Sequence, residues 1–166
     1  MLVVKSKMNA VFPGSFDPVT NGHLDLIRRA SRAYDKIIIA VMTNTSKKPL
    51  FPVGEKVKFI NENIADIANA EVVAVEADLT VNVMHRLNAS VLVRGIRDVK
   101  DFEYERKIAA INNKLDPAIE TVLLFAKPEY AFLSSSMIKE VAQFNGDISG
   151  MVPTNVAMAL KKKWEK

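Results

Sequence analysis

The stretch Phe12-Pro13-Gly14-Ser15-Phe16-Asp17-Pro18-Val19-Thr20-Asn21-Gly22-His23 decides the fold. A short apolar run at 9–12 reads as a strand, and Leu24, Ile27, Ala30, Ala33 and Tyr34 beyond it are spaced as one face of a helix. Strand, turn and helix are thus compressed into about 25 residues. Gly14 can take backbone angles closed to other residues, and Gly22 leaves space for a bulky group against the first helical turn. Free amides and the positive end of the helix dipole would meet that group, so the stretch predicts an anion site. His23, in the same turn, can donate a hydrogen bond to an anionic oxygen.

Outward from this stretch the alternation continues. Residues 37–42, Ile-Ile-Ile-Ala-Val-Met, are continuously apolar, as a strand buried on both faces requires, and 43–52 form a polar loop. Gly54 opens a helix with Val57, Ile60, Ile64 and Ile67 on one face. Residues 72–75 are a third strand, 79–87 a short helix, and 91–93 a fourth strand ending at Arg94-Gly95. A charged helix over 101–115 has Ile108, Ile111 and Leu115 inward, Pro117 ends it, and 121–125 are strand five. Helices over 135–144 and from 154 to the end close the chain.

Such alternation predicts an α/β fold: a Rossmann-like, doubly wound, five-stranded parallel sheet, order 3-2-1-4-5, with helices on both faces. Ligands of open sheets bind beyond the carboxyl ends of the strands where their order reverses. The loops 14–23 and 94–97 should therefore face one crevice. With no internal repeat or linker, one domain over 1–166 is expected; 1–7 read as an extension or alternative start, and 154–166 as a helix with a basic tail.

Of the 166 residues 49% are hydrophobic and 25% charged, an ordinary composition for a soluble chain with a sizeable core. The net charge of +4 is largely local, since 161–166 hold four lysines; with no interleaved aromatic platform, this reads as a solvated helix end and predicts no nucleic-acid partner. The absence of cysteine excludes disulfides, thiolate metal sites and cysteine nucleophiles. No apolar run approaches a membrane span and no signal peptide is visible, so a cytoplasmic protein without a membrane partner is expected.

Gly14-Ser15-Phe16-Asp17-Pro18 followed by Thr20-Asn21-Gly22-His23 resembles the signature of the HxGH nucleotidyltransferase superfamily, in the form carried by phosphopantetheine adenylyltransferases. Thr20 stands where most superfamily members have the first histidine. Further segments match in order between about residues 8 and 156. Ser46-Lys47-Lys48-Pro49 taken alone would be solvated surface. Arg94-Gly95-Ile96-Arg97 carries two planar forks suited to phosphate, unless both pair with neighbours such as Asp98 or Asp101. Asp101-Phe102-Glu103-Tyr104-Glu105 could be a solvated helix start, and Tyr130-Ala131-Phe132-Leu133-Ser134-Ser135-Ser136 could end in a simple cap or donate to triphosphate oxygens. His85, on a short helix, reads as structural or solvated.

The resemblance implies transfer of the adenylyl group of ATP to 4′-phosphopantetheine, giving dephospho-coenzyme A and pyrophosphate, the penultimate step of coenzyme A biosynthesis. Attack is direct and in line, because the phosphate monoester is already ionised, with a second pKa of about 6. By resemblance His23, Lys47, Arg94 and Ser135 are catalytic. Ser15, Phe16, His23, Gly95, Ile96, Arg97, Glu105 and 130–136 (Tyr130, Ala131, Phe132, Leu133, Ser134, Ser135, Ser136) bind ATP. Ser15, Lys47, Leu79, Thr80 and Arg94 bind the pantetheine substrate. Mg²⁺ bridging phosphate oxygens, a homohexamer and feedback by coenzyme A follow from the resemblance alone, and the metal ligands stay unassigned. Two alternatives remain open: another acceptor such as nicotinamide mononucleotide, and a non-catalytic nucleotide-binding module.

Overall fold

The computed structural model describes residues 8–43 and 48–164. In chain order they form β1 (Asn9–Gly14), α1 (Asn21–Ala33), β2 (Lys36–Met42), α2 (Val53–Asn63), β3 (Ala70–Val75), α3 (Thr80–Arg86), β4 (Val91–Ile96), α4 (Val99–Leu115), β5 (Glu120–Phe125), a 3₁₀ turn (Pro128–Tyr130), α5 (Ser135–Gln143) and α6 (Thr154–Trp164). The strands make one parallel sheet in the expected order β3-β2-β1-β4-β5.

Alternate residues of the apolar runs feed two cores, one on each face of the sheet, as the two-residue period of a strand dictates. Ala10, Phe12, Ile37, Ile39, Val41, Val91 and Val93 pack with Ile27 of α1, Ile60 of α2, Ile138 of α5 and Leu160 of α6. Val11, Ile38, Ala40 and Leu92 pack on the other face with Val81, Val83 and Met84 of α3. The sheet is therefore covered on both sides, which is why the runs 10–12, 37–42 and 91–93 of its central strands are apolar.

The sheet does not stay closed along its length. β1 pairs with β2 from Asn9↔Lys36 to Gly14↔Val41, and β4 with β5 from Val91↔Glu120 to Ile96↔Phe125. Between β1 and β4, however, only Ala10↔Val91 and Val11↔Leu92 pair. Past those residues the two central strands part, and a crevice opens at the order reversal.

Three local expectations change. β4 does not end at Arg94-Gly95 but carries both through to Ile96. α2 stops at Asn63, so Ile64 is its C-cap and Ile67 packs from the turn beyond. On α4, Ile108 is half-buried, but Ile111 and Leu115 are 56% and 54% exposed, and Glu105 and Asn112 are buried instead. Residues 105, 108 and 112 share one helical line, and Arg94 of β4 grips Glu105. That ion pair rotates the helix away from the face its apolar residues would choose.

Candidate active site

The turn between β1 and α1 is built around Thr20 and His23. Thr20, buried and extended, caps α1: its hydroxyl accepts from the His23 backbone N–H at 3.3 Å, while its own N–H donates to His23 Nδ1 at 3.0 Å. This is a capping box in which an imidazole takes the place usually held by Glu or Gln. Because Nδ1 is an acceptor, the proton of the neutral ring sits on Nε2. Burial, then the charges of Arg97 and Arg94, lower the His23 pKa from 6.5 to about 4. The ring is thus an uncharged N–H donor at neutral pH, and Nε2 has no partner among the described residues.

Phe16 fixes the ring from the side. It is 2% exposed, and its own ring lies 5.1 Å from the imidazole and 5.6 Å from Phe12 in edge-on contacts. Its φ of 43° is left-handed, a conformation that costs a non-glycine residue on the order of 1 kcal/mol or more. The glycines serve differently from expectation. Gly14 has no positive φ; a Cβ there would sit 3.0 Å from the Phe16 ring. The space beside Gly22 is filled by Tyr130, whose Cβ is 3.3 Å from where a Cβ would stand. Nor is there a row of free amides: Asn21 N–H donates to Met151 O at 2.9 Å and His23 N–H to the cap, leaving the Gly22 N–H.

Across the crevice stand the two arginines. Arg94 donates from Nε and Nη2 to both Glu105 oxygens, at 2.8 and 2.6 Å, and from Nη1 to Pro13 O at 2.9 Å, so one guanidinium ties β4, α4 and the parted edge of β1 together. Arg97 repeats the scheme with Asp101, at 2.8 and 3.1 Å, and with Leu133 O at 3.1 Å. The pairing that the sequence left open is realised, with Glu105 rather than Asp98 as the partner of Arg94; Asp98 caps α4 through the Asp101 N–H at 2.8 Å. Each arginine engages three of its five N–H groups, and two remain for a ligand. The Asp101 hydrogen bond raises the Arg97 pKa, and the same bond lowers that of Asp101.

These groups line one cavity of about 310 Å³, the size of a small-ligand site. It gathers Ser15, Phe16, His23, Arg94, Gly95, Arg97 and Glu105 with Tyr130, Leu133, Ser134 and Ser135 from the start of α5. Six of the expected residues do not line this cavity. Ile96 is buried, Ala131 and Phe132 do not line the cavity, Ser136 faces a smaller cavity alongside, and Leu79 and Thr80 stand at the start of α3. Lys47 lies outside the described residues. The serine run is divided in role: Ser134 caps α5 by accepting from Met137 N–H at 3.1 Å, and Ser135 donates to Pro18 O at 2.8 Å. Only the Ser136 hydroxyl has no protein partner among the described residues. His85 is exposed and pairs with Asp116 at 2.6 Å, a structural role as read from sequence.

Asp17, quoted within the turn but given no task by sequence reading, holds the approach to α2. It is buried and accepts from Leu50 N–H at 2.9 Å, Phe51 N–H at 3.0 Å and Lys139 Nζ at 3.2 Å. Lys56 and Lys139 line the cavity beside it, and the sequence singles out neither.

The cytidylyltransferase-like family model matches residues 11–141, spanning the turn, the arginine strand and most of α5. A Vibrio parahaemolyticus structure named as a nicotinate-nucleotide adenylyltransferase aligns with TM-score 0.73, covering 97% of this chain and 98% of that one, at 17% identity, a likeness of fold alone. Fold and site together define a nucleotidyltransferase of the cytidylyltransferase-like class. The phosphopantetheine adenylyltransferase of Latilactobacillus sakei is 55% identical over 154 residues, 93% of each chain. That of Lactiplantibacillus plantarum is 54% identical over 156 residues, 94% of this chain and 95% of the relative. The chain belongs to the phosphopantetheine adenylyltransferase family. Among the described residues no helix is long and apolar enough to cross a membrane.

Proposed function

We propose that the cavity between β1 and β4 transfers the adenylyl group of ATP to the phosphate of 4′-phosphopantetheine, giving dephospho-coenzyme A and pyrophosphate. The observation that carries this reading is the convergence of a neutral imidazole and two anchored guanidinium groups on one cavity, at the place where the sheet opens. A phosphate oxygen of the acceptor attacks the α-phosphorus of ATP, and the bond to the bridging oxygen breaks as pyrophosphate departs. No proton has to move, because the attacking monoester loses its second proton at about pH 6. Catalysis is then alignment of two anions and neutralisation of charge in the transition state.

In this mechanism His23 Nε2–H and Gly22 N–H donate to the reacting phosphoryl oxygens. A neutral imidazole donates without competing as an acid, so the hydrogen bond survives the charge that gathers there. Arg94, aimed by Glu105 and Pro13, binds the acceptor phosphate with Ser15, and Lys47 joins it by resemblance. Arg97, Gly95, Tyr130 and Leu133 border the ATP side, where the start of α5 offers the Ser135 and Ser136 amides to the triphosphate. Glu105 acts through Arg94 instead of touching ATP, and Ser135 positions α5 through Pro18. Phe16 orients His23, and Ile96 supports the sheet beneath.

Mg²⁺ enters with ATP as part of the substrate. Among the described residues no three His, Asp or Glu side chains group as a resident metal would require, and the carboxylates of the cavity are held by arginines. The reading extends to a cytoplasmic homohexamer with feedback by coenzyme A. Exposed apolar side chains on α4 and at the end of β5, including Phe102, Ile111, Leu115 and Phe125, support self-association. The test is pyrophosphate release from ATP and Mg²⁺. It should depend on 4′-phosphopantetheine and be absent with nicotinamide mononucleotide; release with the latter alone would overturn the acceptor, and no release with either would leave a binding module.

A further inference from the structure

Beside the main cavity lies a second of about 180 Å³, which shares Ser15 and Ser135 with it. Three ammonium groups, those of Lys48, Lys56 and Lys139, face one carboxylate there, that of Asp17. Asp17 is committed to two backbone amides and to Lys139. Lys56 is different. It is 3% exposed and lines this cavity from α2, and its ammonium has no hydrogen-bond or ion-pair partner among the described residues. Burial lowers its pKa, opposed by Asp17 and reinforced by Lys139.

The formal charges of the two cavities differ. In the main one, among the described residues, Arg94 and Arg97 are matched by Glu105 and Asp101. In the annex the balance is three cations to one anion, a surplus of two positive charges. A buried ammonium without a partner is costly, and an anion in the annex would relieve it. The annex also borders the first turn of α5, where the Ser136 hydroxyl has no partner among the described residues and the positive end of the helix dipole lies.

We propose that the annex is a phosphate subsite in which Lys56 is the principal donor, holding the terminal phosphates of the nucleoside triphosphate and then the pyrophosphate that leaves. The proposal rests on the adenylyl-transfer reading and adds to it a residue that acts on the leaving group from α2.

Calorimetric titration of inorganic pyrophosphate into the unaltered chain and into Lys56→Met tests it without turnover. The methionine keeps the stem and removes the charge. Pyrophosphate binding should weaken about 10- to 100-fold, the range for a lost charge-assisted hydrogen bond. Binding of AMP, which the adenylyl-transfer reading places in the main cavity, should be unchanged, and Lys56→Arg should restore pyrophosphate binding to within a few-fold. Equal pyrophosphate affinity in Lys56→Met, or a parallel loss of AMP binding, would overturn the proposal. If Lys56→Met does not fold, the unaltered chain with ¹³C-labelled lysine decides: pyrophosphate must shift the Lys56 Cε resonance, and an unmoved signal refutes the subsite. Pyrophosphate bound through Lys56 in a chain that releases none from ATP and 4′-phosphopantetheine would uphold the annex and overturn the functional reading.

Discussion

The neutrality of His23 makes a prediction in pH. Folded, the imidazole titrates at about 4; unfolded, at its ordinary 6.5. Above the unfolded value neither state binds the proton, and this residue contributes no pH dependence. As pH falls through 6.5 the unfolded chain takes up a proton that the folded chain refuses, so stability is lost down to about 4. At about pH 4.5 the unfolded imidazole is almost fully protonated and the folded one largely neutral, which amounts to roughly 2 to 3 kcal/mol of lost stability. Urea unfolding of the native chain and of His23→Gln, each at about pH 7.5 and 4.5, isolates this residue. Carboxylates that lose their pairs in acid, such as Asp66 and Asp101, cancel in the comparison. The variant should lose roughly 2 to 3 kcal/mol less than the native chain between the two pH values. An imidazole resonance titrating near 6.5 in the folded protein, or a proton found on Nδ1, would refute the argument. The same neutrality assigns the acid limb of turnover to the acceptor phosphate, at about pH 6, and not to the enzyme.

Other consequences are more local. His23→Ala should fold and retain ATP binding while turnover falls by about 10²- to 10³-fold; an unimpaired rate removes the imidazole from the mechanism. Arg94→Lys keeps the charge but loses the fork to Glu105 and the tie to Pro13, and should cost about 2 kcal/mol in denaturant unfolding together with a raised KM for the acceptor. Thr20→Ala removes the cap hydroxyl but leaves the backbone N–H that holds Nδ1, so stability should drop by about 1 kcal/mol with a smaller effect on turnover than His23→Ala. Gly95→Ala would place a Cβ 2.4 Å from Leu26 Cδ1, so Leu26, which lines the cavity, must shift, at a cost of about 1–3 kcal/mol and with a higher KM for ATP.

Strand order, helix placement and the convergence of the loops were legible because continuous apolar runs, alternating with amphipathic ones, admit few parallel topologies. The facing of α4 was not legible. Apolar spacing pointed to Ile111 and Leu115, whereas a single buried ion pair between Glu105 and Arg94 set the rotation. Side-chain periodicity carries no record of a partner one element earlier. The same blindness hid Lys56, since a lysine on a helix looks solvated until the tertiary fold closes over it. Thr20 was visible as a departure from the histidine most superfamily members carry. Its consequence, an acceptor hydroxyl at the cap and a backbone N–H fixing the tautomer of His23, emerges only when the turn is folded.

Pro13 is the residue whose signal was present and unread. Proline is unusual within a central strand because it cannot donate to the ladder, so its place in β1 marks a strand that does not need a donor at that point. Along a strand, the N–H and C=O of one residue point to the same side. Pro13 C=O points across the gap to Arg94; the N–H of any other residue would point into that gap as well. Pairing between β1 and β4 has stopped at Val11, so such an N–H would face an opening crevice without a strand partner. Proline removes the donor and Arg94 satisfies the acceptor, and the sheet can part without leaving orphaned backbone groups. The cavity therefore exists because the central strand was relieved of its hydrogen-bonding demand at the residue where the two halves of the sheet separate. Pro13→Ala should leave β5, at the edge, unchanged, but close or hydrate the gap beside Arg94. Faster hydrogen exchange confined to residues 12–14 and 94–96, with a higher KM for both substrates, is the expected result; unchanged exchange there would show that Pro13 is incidental to the opening.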